Sequence, residues 1–349
     1  MTIDETYMHR CLQLANLGAG YVAPNPMVGA VLVYDNRIIG EGYHKQYGQA
    51  HAEVNCINSV RAEDISLIPL STIYVSLEPC THHGKTPPCA DLIIEKKIKR
   101  VAVGCRDPFI EVDGKGIDKL QQAGIEITLG ILEKECKELN KRFFTFHTKQ
   151  RPHIILKWAQ TANNKIASLN NERLLITNEF TNRLVHKWRS EEMGILVGTN
   201  TAILDDPELT NRLWTGKSPV RLVVDMNLRL TKSLKLFNGQ QPTIVFNLNQ
   251  TKEENNIQYC KVIKGENLVS QILNTCYQKS IQSIIVEGGA KLLQSFIDAG
   301  FWDEARVITN TNLFIENGLD APQLSANKLS HSENIFTDRI DYIHPHISQ

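Results

Sequence analysis

Three residues with metal-binding side chains constrain the fold of this chain more than any other feature of its sequence. His51 begins a His-Ala-Glu triplet, and Cys80 and Cys89 each follow a proline. One imidazole and two thiolates suit zinc, and three protein ligands leave a fourth tetrahedral position for water. Because the three residues come from separate stretches of chain, we expect the fold to bring those stretches to one point.

The carboxylate of Glu53, two residues beyond His51, indicates hydrolytic chemistry at this metal. Zinc lowers the pKa of a water toward neutrality, and a carboxylate beside it can carry the protons of a deamination. Residues two apart do not share a face of a regular helix, so both side chains reach one site only from a first helical turn. We expect the two cysteines at helix entrances as well, where the dipole favours thiolate. Glu53 is the predicted catalytic residue, and His51, Cys80 and Cys89 are the predicted metal ligands.

A structural zinc site is the alternative interpretation of the same residues. Eight residues separate Cys80 from Cys89, and His82 or His83 among them could supply a fourth ligand that closes the site. A redox pair is disfavoured, since the cysteines are not spaced as C-x-x-C. A binding module without chemistry would then hold a four-coordinate metal without water.

Two successive runs of strand and helix patterns predict a two-domain α/β protein with a boundary near residue 147, and 349 residues exceed one typical core. The Arg151-Pro152 pair breaks the helix that closes the first run. Residues 249–256 are the most polar stretch and are predicted to form a surface loop. The predicted strands cover residues 28–34, 37–43, 71–77, 100–105, 154–157, 195–197, 220–225, 243–246 and 283–286. The predicted helices cover residues 5–17, 51–60, 89–97, 117–123, 139–146, 181–189 and 290–299.

The composition of the chain indicates which binding partners and which cellular compartment to expect. The 38 basic residues equal the 38 acidic ones, so net charge offers no reason for bulk nucleic-acid binding. No uninterrupted apolar run is long enough to span a membrane, and the acidic N-terminus does not have the pattern of a signal peptide. The eight cysteines are therefore expected as free thiols or metal ligands of a cytoplasmic protein.

Several short motifs occur in a fixed order along the chain. They are Asn-Pro-Met-Val-Gly at 25–29, Gly-Glu-Gly-Tyr-His at 40–44, His-Ala-Glu at 51–53, Leu-Glu-Pro-Cys at 77–80, Gly-Lys-Thr-Pro-Pro-Cys at 84–89 and Asp-Pro at 107–108. Together these motifs resemble the bifunctional deaminase/reductase family of riboflavin biosynthesis, in which the long spacing between the two cysteines is characteristic. The resemblance implies a zinc-dependent deaminase domain at residues 1–146 with a three-layer, cytidine-deaminase-like fold, and an NADPH-dependent reductase domain at 147–349 with a dihydrofolate-reductase-like fold.

The resemblance also implies a substrate, a diaminopyrimidinone that carries a phosphoribosylamino group. Deamination replaces its 2-amino group by oxygen, and reduction at C1′ then gives a ribitylamino product. Asn25, His44 and Lys85 would contact the pyrimidine or its phosphate. An amide can pair with a heterocycle edge and a lysine can meet a phosphate. The alternatives are a turn residue before Pro26 for Asn25 and a structural histidine for His44.

In the second domain, a strand ends at Val286-Glu287 and a helix opens after Gly288-Gly289, where backbone N–H groups can approach a phosphate. A GxGxxG fingerprint is absent. The resemblance implies cofactor contacts at Ala159, Thr201, Asp205 and residues 289–295, to which we add Gly288 and Lys157. It implies substrate contacts at Arg189, Leu209, Arg212 and Glu287. Two arginine forks suit phosphate oxygens, and a solvated helix end is the alternative for Arg189.

The chain departs from the family after the first reductase strand. Residues 161–164 read Thr-Ala-Asn-Asn where the family often has Ser-x-Asp-Gly. Asn164 is predicted to adopt the left-handed turn conformation of the glycine, whereas Asn163 cannot act as a carboxylate.

The competing function is a nucleic-acid editing deaminase with an accessory domain, since such enzymes share the His-x-Glu core. The zero net charge counts against it. The resemblance implies instead a small-molecule enzyme that forms a homo-oligomer.

Overall fold

The first of the two units of the chain, Met1–Gln150, is built on a sheet buried on both faces. The computed structural model describes residues 1–81, 87–169, 174–325 and 327–346. The strands follow the order β2-β1-β3-β4-β5; β1 is antiparallel to β2 and β3, and the remaining pairs are parallel. Its elements are α1 (Ile3–Asn16), β1 (Gly29–Tyr34), β2 (Arg37–Tyr43), α2 (Ala52–Asn58), a 3-10 helix (Ala62–Leu70), β3 (Thr72–Leu77), α3 (Cys89–Glu95), β4 (Arg100–Cys105), α4 (Lys115–Gln122), β5 (Glu126–Leu129), α5 (Glu133–Leu139) and α6 (Lys141–Lys149).

Apolar residues on both faces of the strands give this unit its three layers. Leu32 and Ile73 face a cluster completed by α2, α3 and α4, while Val31 and Tyr74 face a second cluster completed by α1 and α5. Successive strand side chains point to opposite faces, so a strand that is apolar throughout must be covered twice. The predicted three-layer α/β fold is confirmed.

The second unit, Arg151–Gln349, has a ten-stranded sheet in the order β11-β12-β10-β9-β8-β13-β6-β14-β17-β16 and a small β15-β7 pair. Ile154 and Leu156 face the side covered by α9 and α10; Ile155 faces the side covered by α7 and α8. The elements are β6 (His153–Thr161), β7 (Lys165–Ser168), α7 (Glu179–Glu191), β8 (Gly194–Gly198), α8 (Thr199–Asp205), β9 (Val220–Val224), a 3-10 turn (Lys235–Phe237), β10 (Thr243–Asn247), β11 (Lys252–Glu254), β12 (Ile257–Lys261), α9 (Leu268–Gln278), β13 (Ser283–Val286), α10 (Ala290–Asp298), β14 (Glu304–Asn310), β15 (Gly318–Asp320), β16 (Asn327–Ile335) and β17 (Asp338–Pro345).

The sequence prediction omits several elements of this unit, namely β7, β11, β12, β14 to β17, α8 and α9. Two of these omissions, β11 and β16, have a clear physical reason. The stretch 249–256, predicted as a loop, contains β11, which pairs antiparallel with β12 through a turn at Asn255-Asn256, both in the left-handed conformation. Strand β16 was not predicted because it is exposed along almost all of its length and lacks alternating apolar residues. Its position is set by pairing with β17, which is a tertiary effect. Within the described ranges, every helix is too short or too polar to serve as a transmembrane segment.

The departure at residues 161–164 is a structural turn. Asn164 has φ +59°, so the predicted left-handed conformation is confirmed. Asn163 accepts a hydrogen bond from the Thr161 hydroxyl at 2.7 Å and donates to the Ile315 carbonyl at 2.8 Å. The amide thus ties the β6–β7 turn to the segment that leads to β15.

Asp303 holds the start of the second unit and provides a test of its stability. Its carboxylate accepts two hydrogen bonds from Arg151, at 2.6 and 2.8 Å, and one from the Ile154 N–H at 2.9 Å. Burial alone would raise the pKa of Asp303, but the Arg151 hydrogen bonds and the positive charges of His153 and Arg151 hold that pKa well below its usual range. We expect Asp303→Asn to lower the free energy of unfolding of this unit by about 3 kcal/mol at neutral pH.

The pH dependence of that loss follows from the direction of the shift. A depressed folded-state pKa contributes stability above the unfolded pKa of about 3.9, and that stability disappears as pH falls through the folded pKa. The difference between wild type and Asp303→Asn should therefore be constant from about pH 5 to 8 and shrink in stronger acid. Urea unfolding followed by tryptophan fluorescence measures it, since all four tryptophans belong to this unit. The control is Asp320→Asn, which removes an exposed partner of Lys165 and should change the free energy of unfolding little. If the difference in free energy of unfolding between wild type and Asp303→Asn stays constant down to pH 2, the depressed pKa of Asp303 is contradicted.

Candidate functional sites

The entrances of two helices and the loop after β3 bring the three predicted metal ligands together. His51 is the N-cap of α2, Cys89 is the first residue of α3, and Cys80 lies three residues beyond the end of β3. One ligand atom from each lies within 4.8 Å of the other two. The prediction that each cysteine lies at a helix entrance is confirmed for Cys89 and wrong for Cys80. Cys80 lies on a loop, and its backbone carbonyl accepts a hydrogen bond from the Ala90 N–H at 3.1 Å.

The geometry of these ligand atoms fits a tetrahedral zinc ion. His51 Nδ1 is 3.5 Å from Cys80 Sγ and 3.4 Å from Cys89 Sγ. Ordinary Zn–N and Zn–S bond lengths at a tetrahedral angle predict a separation of about 3.6 Å. Hydrogen bonds from the Cys89 thiol and from His51 lower the pKa of the Cys80 thiol, which favours the thiolate that a metal requires.

Glu53 is in the first turn of α2, as the spacing predicted, and its side chain is buried. Burial is the main cause that raises the pKa of Glu53, the charge of Cys80 adds to it, and the adjacent Cys89 side chain opposes it. The carboxyl group therefore contacts one metal ligand and is two residues from another. A buried carboxyl group beside the ligands has the position that a proton carrier needs.

A short hydrogen-bond chain orients the amide of Asn25. His44 Nδ1 is 3.1 Å from the Ala50 carbonyl, and His44 Nε2 is 3.1 Å from Asn25 Nδ2. A carbonyl oxygen only accepts, so Nδ1 carries the proton and Nε2 accepts from the Asn25 amide nitrogen. Burial lowers the pKa of His44, which favours the neutral ring. The arrangement leaves the Asn25 Oδ1 atom as the acceptor available to a ligand. Lys85, like His82 and His83, lies outside the described residues.

In the second unit, Glu287 follows β13 and forms a buried charge cluster with two basic residues. Arg189 on α7 donates from Nε and Nη2 to the Glu287 carboxylate at 2.8 and 2.7 Å, and Lys157 Nζ on β6 is 3.7 Å away. Burial would raise the pKa of Glu287, but the charges of Arg189 and Lys157 lower it to about 2. Burial lowers the pKa of Lys157. The alternative of a solvated helix end for Arg189 is wrong, since its side chain is 15% exposed and paired.

Three of the predicted cofactor residues, Thr201, Gly288 and Gly289, lie together where β8 and β13 end. A Cβ on Gly288 would lie 2.8 Å from Thr201 Cγ2, so glycine permits this close approach. A Cβ on Gly289 would make only an ordinary contact, 3.5 Å from Thr201 Oγ1. Gly289 has φ +75° and is the N-cap of α10. Asp205 stands four residues after Thr201 on α8, the spacing of one helix face. Ala159, on β6, is partly exposed.

The remaining predicted substrate residues lie on the loop after α8. Leu209 has φ +52° and a buried side chain in the α7 core, so only its backbone could meet a ligand. The Arg212 side chain is 52% exposed and pairs with Glu208 at 2.8 Å. The Arg212 N–H donates to His186 Nδ1 at 2.9 Å.

His186 is a buried site residue that the sequence analysis missed. Burial and the charges of Arg189 and Arg212 lower its pKa to about 4. It stands three residues before Arg189 on α7, which places both on one helix face, and that spacing was the available signal.

Comparisons with known proteins match both units. Residues 1–105 match the family of the cytidine and deoxycytidylate deaminase zinc-binding region, and residues 152–314 match the RibD C-terminal domain. The riboflavin biosynthesis protein RibD of Aquifex aeolicus is 40% identical over 346 residues, 97% of this chain and 95% of that protein. The RibD protein of Escherichia coli is 32% identical and covers 94% of this chain and 96% of its own length.

Solved structures agree over the same extent. A diaminohydroxyphosphoribosylaminopyrimidine deaminase/5-amino-6-(5-phosphoribosylamino)uracil reductase from Thermotoga maritima superposes with a TM-score of 0.89 at 37% identity and covers 98% of this chain and 99% of its own. Acinetobacter baumannii RibD gives a TM-score of 0.89 at 28% identity, with 99% of both chains covered.

Proposed function

The chain belongs to the RibD family of riboflavin-biosynthesis proteins, and from this premise we propose how its residues perform the two reactions. It is a bifunctional deaminase and reductase that uses zinc and NADPH. Because the chain belongs to this family, we favour this function over the competing one, a nucleic-acid editing deaminase. The observation that carries the deaminase proposal is the convergence of His51, Cys80 and Cys89 beside the buried Glu53.

In the deaminase site, His51, Cys80 and Cys89 would hold the zinc ion, which when bound lowers the pKa of a water toward neutrality. Glu53 is the catalytic residue. Its carboxylate takes a proton from the attacking water and delivers it to the amino group that leaves the pyrimidine. The free Oδ1 of Asn25, oriented through His44, accepts a hydrogen bond from an N–H of the ring or of an amino substituent.

In the reductase site, NADPH when bound would supply a hydride for C1′, and the protein must deliver a proton to the ribose ring oxygen as the C1′–O bond breaks. Lys157 is the proposed donor of that proton, because burial lowers the pKa of its ammonium group. Glu287 holds Lys157 in place and is itself oriented by Arg189. Lys157 would thus act where the cofactor and the substrate meet.

Binding of the two ligands is assigned to neighbouring residues. Thr201, Asp205, Gly288 and Gly289, with Ala159, would hold NADPH, whose phosphates suit the N-terminus of α10. Arg189 has two of its donors committed to Glu287. We therefore assign the substrate phosphate mainly to Arg212, with Leu209 contributing its backbone, and Lys85 to the phosphate in the deaminase site.

Removal of zinc will separate the two activities. Dipicolinate treatment should abolish deamination and leave NADPH-dependent reduction unchanged, because the zinc ligands belong to residues 1–146 and the reductase residues to 147–349, the two proposed functional domains. Metal analysis and separate assays of each step check this, and added zinc should restore deamination. Deamination by metal-free protein would contradict the proposal.

Three wider proposals accompany this function. None of the eight cysteines forms a disulfide, which supports a reducing compartment such as the cytoplasm. The zero net charge supports a small-molecule enzyme that does not bind nucleic acid. Among the described residues, β16 is an exposed edge strand of the ten-stranded sheet, and such an edge can pair with another chain, which supports a homo-oligomer.

A further inference from the structure

Glu78, in the Leu-Glu-Pro-Cys motif, has a buried carboxylate with four backbone partners. Its side chain is 4% exposed and lies between the end of β3 and Cys80. The partners all belong to the segment that follows β4 and enters α4, defined here as the 107–117 segment. Glu78 Oε2 accepts from the N–H groups of Asp107 at 3.2 Å and Gly114 at 3.0 Å; Oε1 accepts from those of Gly116 at 2.9 Å and Ile117 at 3.2 Å.

The 107–117 segment is in direct contact with the loop of Cys80. A Cβ on Gly116 would lie 2.0 Å from the Pro79 carbonyl oxygen, so only glycine allows α4 to approach this closely. Gly114, the N-cap of α4, has φ +86° and offers no side chain to cap the helix. The Glu78 carboxylate supplies that cap, and its charge is favoured at a helix N-terminus.

Cys80 is therefore held from two sides. On one side, α3 reaches it through the Cys89 N–H, which donates to Cys80 Sγ at 3.4 Å, and through the Ala90 N–H, which donates to the Cys80 carbonyl. On the other side, the only backbone between Glu78 and Cys80 is Pro79, whose φ is restricted by its ring. The Glu78 anchor is therefore joined to Cys80 through a single residue of restricted backbone.

We propose that Glu78 is a positioning residue of the deaminase, which fixes the Cys80 thiolate among the metal ligands by anchoring the 107–117 segment. The inference rests on the proposed zinc ligands. Residues that orient metal ligands affect metal affinity or activity by about 10- to 100-fold when they are replaced. A purely structural cap on α4 would affect the stability of the first unit and leave the metal unchanged.

Two variants test the role by different means. Glu78→Gln keeps the shape but turns an amide NH2 toward backbone N–H donors. Gly116→Ala keeps the carboxylate and pushes α4 away from Pro79. Asp64→Asn is the matched control, since it removes a buried carboxylate of the same unit whose partner is Arg37. NADPH-dependent reduction reports only the second unit, so far-ultraviolet circular dichroism of each variant shows whether the first unit is folded.

The measurements are zinc release to a colorimetric chelator, the visible absorption of the cobalt-substituted protein, and kcat and KM for deamination. We expect both test variants to release zinc about 10- to 100-fold faster, to shift the cobalt bands, and to lower kcat more than KM changes; Asp64→Asn should match wild type in all three. If Glu78→Gln fails to fold, Gly116→Ala decides alone. Wild-type zinc release and cobalt bands in the folded variants would overturn the positioning role. Absence of zinc from the wild-type protein would instead overturn the ligand set itself.

Discussion

Glu53→Gln will lower the kcat of deamination by about 10²- to 10⁴-fold, the usual contribution of a positioned proton carrier. Glutamine keeps the size of the side chain in its buried place but can neither take nor deliver the proton. KM should change little, because the lost interaction belongs to the transition state. Steady-state assays of the first reaction give both constants.

Two controls make this result specific. Zinc content should remain that of wild type, since Glu53 is not among the three ligands, and the reduction rate should be unchanged. Glu63→Gln, an exposed glutamate of the same unit, should deaminate normally. Retention of more than about a tenth of the activity by Glu53→Gln would refute the assigned role.

Glu287→Ala should have the largest effect in the second unit, on both stability and reduction. The substitution leaves Arg189 and Lys157 buried without their shared counter-charge, which typically costs about 3–5 kcal/mol. Reduction should fall below detection, because Lys157 loses the carboxylate that holds it. Tryptophan fluorescence in urea reports the stability of this unit selectively, and deamination should persist.

The control for this substitution is Glu253→Ala on β11, an exposed position where the free energy of unfolding should change by less than about 0.5 kcal/mol. Glu287→Gln separates the two effects, since it retains volume and hydrogen bonding but loses the charge. A variant Glu287→Ala with wild-type stability and reduction would contradict the proposed cluster.

The spacing of His51 and Glu53 was sufficient to predict the helical turn from which both side chains reach the deaminase site. A His-x-Glu triplet can present both side chains to one point only from a first helical turn, and the structure has His51 at the N-cap with Glu53 just after it. Cys89 is the first residue of α3, as expected, although Cys80, which also follows a proline, lies on a loop. These features depend on a few neighbouring residues, so local backbone sterics decide them.

The partners of Glu78 and Arg189 could not be inferred in this way. The four amides that bind Glu78 are 29 to 39 residues away in sequence, and Arg189 meets Glu287 across 98 residues. Backbone N–H groups occur at nearly every residue, so the sequence does not show which of them will bind Glu78. It also does not distinguish a buried arginine such as Arg189 from an exposed one. Nor does an exposed strand such as β16 need alternating apolar residues.

By itself, the sequence determined the two α/β units, the zinc ligands to be tested and the helix turn that carries Glu53, because short-range sterics and apolar periodicity act between near neighbours. Only the tertiary structure decided which distant charges are paired, which glycines touch another backbone and which loop anchors Cys80. Those contacts exist only once the sheets have brought remote segments within hydrogen-bond distance and excluded water from them.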